Sequence, residues 1–238
     1  MDDLDRIAPQ QTPTAKRPLL GLTVLVVEDS RFASEALRLM CLRSGARIRR
    51  ADCLRSARRH LQVYRPSVVI IDLGLPDGSG LDLIDELNRA IPRVGVILAI
   101  SGDDQAAAPA STAGADGFLS KPLECLGHFQ HAILSSLPAD RQPARPASVS
   151  EEIVSPDRLA YRDDMTHVAS LLVDHQEGPV LDYIARFTRG VAKSAGDTQL
   201  KHAANDLLRA RSDGGASRAG IARLAGMVQD RLQERVAI

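Results

Sequence analysis

The chain has 238 residues, of which 44% are hydrophobic, 25% are charged and 3% are aromatic. This composition is typical of a globular protein with an aliphatic core and excludes a disordered chain. Its 30 lysines and arginines balance its 30 aspartates and glutamates, so the formal net charge is zero, which argues against a strongly basic nucleic-acid binder or an acidic tail protein.

Location is indicated by what the sequence lacks. No apolar run approaches the roughly 20 residues of a membrane span, and the polar N-terminus has no apolar signal-peptide core. Without a CxxC pair, the cysteines are expected to be free, buried thiols in a reducing compartment: Cys41, Cys53 and Cys125. We therefore expect a cytoplasmic protein without membrane association.

Proline-rich stretches divide the chain into two modules. Residues 1–18 are expected to form a loose leader, and residues 138–152 an extended linker. The first module, 19–137, is long enough to bury about two-thirds of its surface. The second, 153–238, is near the lower limit for independent stability, so a helical partner or self-association is expected there.

Strands and helices alternate through the first module. Apolar runs at 22–27 and 67–71 are typical of strands buried on both faces, and a polar stretch at 46–51 is typical of an edge strand. Further strands are expected at 94–100 and 118–119. Helices are expected between and after them: 30–44, 54–64, 81–90, 105–113 and 123–137. Five βα units predict an α/β fold, a doubly wound five-stranded parallel sheet with helices on both faces.

Polar residues follow the predicted strands where each one ends. Glu28 and Asp29 come after the first strand, Asp72 after the third and Ser101 after the fourth, and Lys121 lies just past the fifth. In such sheets ligands bind beside the carboxyl ends of the strands. These side chains are therefore expected to form one site.

Four segments carry a family resemblance: VVEDS (26–30), IDLGLPDGSG (71–80), ISG (100–102) and FLSKP (118–122). Their order and spacing resemble the receiver domain of two-component response regulators over residues 21–137. The resemblance implies a flavodoxin-like strand order of 2-1-3-4-5. It also implies that Asp72 accepts a phosphoryl group from a sensor histidine kinase or a phosphotransfer protein.

The resemblance assigns further roles. Mg²⁺ would be held by Glu28, Asp29, Asp72 and the backbone carbonyl of Gly74, since oxygen ligands suit this ion. The phosphoryl oxygens would be bound by Ser101 and Lys121, and Phe118 would be the switch aromatic. Family positions that orient hydrolytic water correspond to Gly74 and Asp103. Glycine offers no side chain there, which leaves the phosphate lifetime open.

Each of these residues also has an ordinary structural interpretation. Glu28 and Asp29 could cap the following helix, Lys121 could be a solvated charge, Ser101 a turn hydroxyl and Phe118 a core residue. A carboxylate such as Asp72 is common in a turn after a strand. The ordered set of strand-end positions favours the phosphorylation site over these alternatives.

The second module has no strand pattern. Four amphipathic helices are expected, the first capped by Ser155 before Pro156, with Gly178-Pro179 and Gly196-Asp197 as separators and Ser217 as the last cap. Short loops between such helices are typical of an all-α helical bundle. We expect this bundle to serve self-association, giving a homodimer, or partner docking.

Two other functions remain open for the bundle. His202 on the third helix could be the transfer histidine of a phosphorelay protein, although Asn205 and Asp206 differ from the usual motif. Residues 217–236 resemble a helix-turn-helix, but Met227-Val228 offers no turn-forming residue. Residues 151–238 hold 12 lysines and arginines against 13 acids (12 − 13 = −1), which disfavours a DNA-binding transcriptional regulator without excluding it. The protein is expected to be a phosphoacceptor with at most slow self-dephosphorylation, and not an enzyme.

Overall fold

The structure, a computed structural model, describes residues 12–138, 142, 151–175, 177–213 and 218–234. Its first part contains a five-stranded parallel sheet. The strands are β1 (Thr23–Val27), β2 (Arg47–Ala51), β3 (Val68–Asp72), β6 (Val96–Ser101) and β7 (Gly117–Ser120). A two-residue hairpin, β4 (Gly74–Leu75) with β5 (Gly78–Ser79), lies between β3 and the next helix. The sheet order β2-β1-β3-β6-β7 confirms the predicted 2-1-3-4-5 order of the main strands.

Five helices cover the two faces of this sheet: α1 (Arg31–Ser44), α2 (Leu54–Val63), α3 (Gly80–Arg89), α4 (Ala107–Ala113) and α5 (Leu126–Ser136). Alternate residues of β1 enter two separate cores. Val24 and Val26 pack with residues of α1 and α5, whereas Leu25 and Val27 pack with residues of α2, α3 and α4. This two-sided burial explains the unbroken apolar runs in the sequence.

The end of the linker returns to the first module. Leu126 N–H donates to Glu152 O at 3.0 Å, and Val154 N–H donates to Glu124 O at 2.8 Å. Val154 is buried in the core beneath α1 and α5. The chain therefore leaves the first module only after residue 154. Residues 1–11 of the expected leader and 139–141 and 143–150 of the expected linker lie outside the described residues.

Four helices follow around one apolar core: α6 (Arg158–Asp174), α7 (Gly178–Ser194), α8 (Thr198–Ser212) and α9 (Arg218–Gln233). They confirm the expected helical bundle. The predicted first cap was wrong, because Asp157 caps α6 by accepting from Leu159 N–H, and Ser155 lies two residues before that cap. The glycine of Gly178-Pro179 begins α7, and Ser217 lies outside the described residues.

The thiols differ in their burial. Cys41 is buried in α1, whereas Cys53 and Cys125 are half-buried. The expectation of buried thiols therefore holds for Cys41 alone, because the other two lie at helix starts. None of the helices in the described residues has the length and apolarity that a membrane crossing requires.

Candidate functional site

The carboxyl ends of β1 and β3 bring three carboxylates together. Glu28 and Asp29 follow β1, and Asp72 ends β3. Because these two strands are hydrogen-bonded neighbours in the sheet, their ends place the three side chains side by side. One oxygen from each carboxylate lies within 4.8 Å of the others. Glu28 is 3% exposed and Asp72 is 7% exposed. The cluster is therefore largely removed from water.

A glycine fixes the turn that presents Asp72. A Cβ atom at Gly80 would lie 2.1 Å from the backbone oxygen of Asp72 and 2.9 Å from Leu73 Cα. Gly80 N–H also donates to Leu73 O at 3.2 Å. The start of α3 thus folds back against the end of β3 at a distance that only glycine permits. This contact explains the spacing between Asp72 and Gly80 in the sequence.

Lys121 completes the cluster from the end of β7. Its Nζ lies 2.7 Å from Glu28 Oε2 and 3.2 Å from Asp72 Oδ1, and the residue is 7% exposed. Burial alone would lower the pKa of Lys121, but Asp72 and Glu28 hold it above its ordinary value. Lys121 is therefore a cation at this site.

Burial and mutual repulsion both raise the pKa values of the acids in the cluster. Burial is the main cause that raises the pKa of Asp29 to about 7, and repulsion from Asp72 adds to it. The pKa of Glu28 is also raised, first by burial and then by the charges of Asp72 and Asp29, against the attraction of Lys121. Such a cluster favours a bound cation, which relieves the repulsion.

The residues present fit a magnesium ion. Glu28, Asp29 and Asp72 offer hard carboxylate oxygens close to one another, and Mg²⁺ is typically held by one or two carboxylates with water completing its shell. The backbone of Gly74 lies beside them, since a Cβ built there would be 4.0 Å from Asp72 Oδ2. The structure therefore brings together the three carboxylates that the sequence predicts as magnesium ligands.

Ser101 and Phe118 lie where the sequence predicts but differ in their surroundings. Ser101 ends β6, next to β3, and its Oγ accepts from Asp103 N–H at 3.1 Å. Asp103 caps the following turn by accepting from Gln105 N–H at 3.0 Å. Phe118 on β7 is half-buried against the core of α2, α3 and α4. Its contacts are those of a core residue at the margin of the sheet.

The helical bundle adds two residues that sequence reasoning missed. Tyr183 of α7 donates its hydroxyl hydrogen to Asp29 Oδ2 at 2.7 Å. Asp164 of α6, which is 1% exposed, accepts from Ser30 Oγ at 2.8 Å, Arg31 N–H at 2.7 Å and Phe32 N–H at 3.0 Å. In the sequence, the position of a carboxylate next to the apolar stripe of α6 could have indicated Asp164. No feature of the sequence indicated Tyr183.

Burial raises the pKa at both of these positions, and the neighbouring groups oppose it only at Asp164. Burial raises the pKa of Asp164 to about 6, while its hydrogen bonds from Phe32, Arg31 and Ser30 work in the other direction. Burial raises the pKa of Tyr183 as well, and so does the neighbouring Asp29. Tyr183 is therefore a neutral donor to the acidic cluster.

Two other interpretations of the bundle were the transfer histidine and the helix-turn-helix. His202 is exposed on α8, whereas Tyr183 of α7 hydrogen-bonds to the acidic cluster. The helix-turn-helix interpretation of 217–236 was wrong within the described residues, because α9 runs unbroken through Met227-Val228. Without a turn, the two halves of α9 cannot form the angled helix pair of that motif.

Comparison with known proteins identifies the first module. The family model of the response regulator receiver domain matches residues 24–128. Residues 24–128 are a response regulator receiver domain. No family model matches the C-terminal region.

Relatives of the receiver domain include transcriptional regulators. The KDP operon transcriptional regulatory protein KdpE of Escherichia coli is 34% identical over 102 residues, which are 42% of this chain and 44% of KdpE. The transcriptional regulatory protein KdpE of Mycobacterium tuberculosis is 28% identical over 170 residues, which are 68% of this chain and 72% of that protein. A solved receiver domain from Methylobacillus flagellatus is 26% identical, covers 48% of this chain and 98% of its own, and has a TM-score of 0.44.

Proposed function

We propose that the protein is a cytoplasmic response regulator in which Asp72 accepts a phosphoryl group from a sensor histidine kinase or a phosphotransfer protein. One observation carries the proposal: within a matched receiver domain, Asp72 shares a buried cluster with Glu28, Asp29 and Lys121. An ordinary turn carboxylate has no need of two acidic neighbours and a buried lysine.

The chemistry follows from these side chains. An Oδ atom of Asp72 forms the new bond to phosphorus, while the bond from phosphorus to the donor's leaving atom breaks, giving an acyl phosphate. A magnesium ion held by Glu28, Asp29, Asp72 and the Gly74 carbonyl would neutralise charge on the transferring group. Lys121 neutralises phosphoryl oxygens as a point charge, and Ser101 donates its hydroxyl hydrogen to one of them. Phe118 would repack when Ser101 moves.

The decisive experiment is labelling of the full chain by acetyl phosphate with Mg²⁺, read by intact mass. Asp72→Ala should abolish the labelling, and omission of Mg²⁺ should greatly reduce it. Asp82→Ala is the matched control, because Asp82 is an exposed acid on the neighbouring helix α3. Labelling of the Asp72→Ala protein at the wild-type level would refute the proposal.

The two modules have different roles in this proposal. The receiver, about residues 19–137 with the returning segment near 154, takes up the signal, and the helical bundle acts as an output module for a homodimer or for a protein partner. Light scattering with Mg²⁺, before and after addition of beryllofluoride, distinguishes these outputs. A change from monomer to dimer supports regulated self-association, and a monomer under both conditions supports partner docking.

A second candidate output is DNA binding, favoured by the relatives that are named transcriptional regulators. Residues 186–238 hold 10 lysines and arginines against 5 acids (10 − 5 = +5), and such an excess suits phosphate contacts. This output predicts a salt-dependent shift of a DNA duplex by the full chain. The absence of any shift at low salt would exclude it.

A further inference from the structure

Helix α7 crosses the opening of the phosphoacceptor site. At one end Tyr183 binds Asp29 after β1. At the other end Lys193 Nζ donates to Gly102 O at 2.9 Å, and a Cβ built at Gly102 would be 4.0 Å from Gly190 Cα. Gly102 follows β6, so α7 touches the ends of two strands of the sheet.

The strand order places Asp72 beneath this helix. β3 lies between β1 and β6, so a helix that contacts the ends of both must pass over the end of β3. The ten residue steps from Tyr183 to Lys193 rise about 15 Å, which exceeds the roughly 10 Å of two strand spacings. Helix α7 also contacts β4, immediately after Asp72. The helix therefore stands where a phosphodonor would have to approach.

Helix α6 anchors the bundle in this position. Within the described residues, the three hydrogen-bond donors to Asp164 are Ser30 Oγ and the amides of Arg31 and Phe32, all at the start of α1. These amides are the unpaired donors that every helix N-terminus presents. Asp164 is 1% exposed and accepts all three of these hydrogen bonds from the receiver, so its placement suits the docked arrangement.

The interface also has the character of one that can open. Hydrogen bonds of Asp164, Tyr183 and Lys193 connect the two modules. A cavity of about 520 Å³ lies beside them and is lined by residues of both modules, which include Phe32, Lys121, Tyr161 and Arg162. Domain interfaces that are polar and incompletely packed permit relative motion by default. Opening would expose Asp72 without unfolding either module.

We propose that the face of α6 and α7 bearing Asp164, Tyr183 and Lys193 is a docking surface for the unphosphorylated receiver of the same chain, and that docking excludes the phosphodonor from Asp72. The inference rests on the proposed function of Asp72. By linkage, a phosphoryl group that enters only the open state shifts the population towards that state. The output surface of the bundle would then be released by phosphorylation.

The test compares labelling rates of full-length variants with acetyl phosphate and Mg²⁺. Tyr183→Phe removes one hydrogen bond to a carboxylate, which should favour the open state by roughly tenfold to a hundredfold. Asp164→Ala removes three hydrogen bonds, so its effect should be at least as large. Labelling of Asp72 should accelerate up to that factor. Tyr64→Phe and Asp163→Ala are matched controls, since the Tyr64 hydroxyl has no hydrogen-bond partner within the described residues and Asp163 is exposed.

Hydrogen exchange supplies a readout that a local effect would not change. The amides of Arg31 and Phe32 donate to Asp164 and do not touch Tyr183. In the Tyr183→Phe protein they should exchange faster, because docking at the two places is coupled. In the wild-type protein beryllofluoride with Mg²⁺ should have the same effect.

The outcomes separate this inference from the proposed function. Faster labelling and faster exchange in Tyr183→Phe, with both controls unchanged, support the inference. Labelling at Asp72 that proceeds at the wild-type rate in Tyr183→Phe and Asp164→Ala overturns it and leaves the proposed function standing. Failure of all variants to label at Asp72 overturns both.

Discussion

Asp197 joins three helices of the bundle, and its replacement should measure how much that junction stabilises the fold. It accepts from Leu200 N–H at 3.0 Å as the cap of α8, from Tyr161 Oη at 2.9 Å and from Arg231 Nε at 2.8 Å. The side chains of Arg231 and Asp197 are 16% and 15% exposed, so water screens this ion pair only partly. The substitution Asp197→Asn keeps an acceptor for the cap but removes the charge.

The expected loss follows from the contacts. A hydrogen bond to a charged group contributes about 1.5–3 kcal/mol, so Asp197→Asn should lower the free energy of unfolding by about 2 kcal/mol. Asp197→Ala also removes the helix cap, which adds about 1 kcal/mol. For a chain of this size 1 kcal/mol lowers Tm by roughly 2–4 °C. Thermal unfolding followed by far-UV circular dichroism should therefore show a decrease of roughly 4–8 °C for Asp197→Asn.

A matched control and a pH series sharpen this test. Asp206 lies on the same helix and pairs with Arg223 at 3.4 Å, but both side chains are more than half exposed, so Asp206→Asn should change stability by less than about 0.5 kcal/mol. Burial would raise the pKa of Asp197, but hydrogen bonds from Arg231, Leu200 and Tyr161 hold it below its ordinary value. Its contribution is therefore complete above an unfolded pKa of about 4 and is lost as the pH falls through the folded value.

Two results would refute the predicted contribution of Asp197. If Asp197→Asn unfolds at the same temperature as Asp206→Asn at neutral pH, the junction contributes no more than an exposed pair. A difference between wild type and Asp197→Asn that persists unchanged at low pH would also contradict it, because the wild-type carboxylate is then protonated. Either outcome would mean that the apolar core of the bundle alone sets its stability.

Two further predictions concern the receiver. Gly80→Ala should destabilise the protein by about 3 kcal/mol, because the added methyl group overlaps backbone atoms of Asp72. Denaturant unfolding measures this loss, with Gly226→Ala as the control because a Cβ there meets nothing within 4 Å. Equal stability of the two variants would disprove the prediction. Burial raises the pKa of the Cys41 thiol to about 12, so a thiol reagent at neutral pH should modify Cys53 and Cys125 in the native protein and reach Cys41 only after denaturation. Rapid modification of Cys41 in the native state would contradict this.

Local patterns in the sequence determined most of the receiver. Runs such as 67–71 identify buried strands because a strand covered on both faces tolerates few polar residues. Since parallel strands end at one edge, the same reasoning gathers Asp72, Asp29 and Lys121 into one site. The bundle was predictable for a similar reason, as apolar residues at helical spacing mark the buried face of α7 and α8.

Only the tertiary structure decided how the two modules meet. Tyr183 lies 154 residues from Asp29, and Asp164 lies 132 to 134 residues from its donors, so no local spacing relates them. Their contacts depend on the placement of one folded module against another, which is set by the sum of many weak surface contacts. The sequence could therefore predict the cluster of Asp72, Asp29 and Lys121 but not the helix that crosses it.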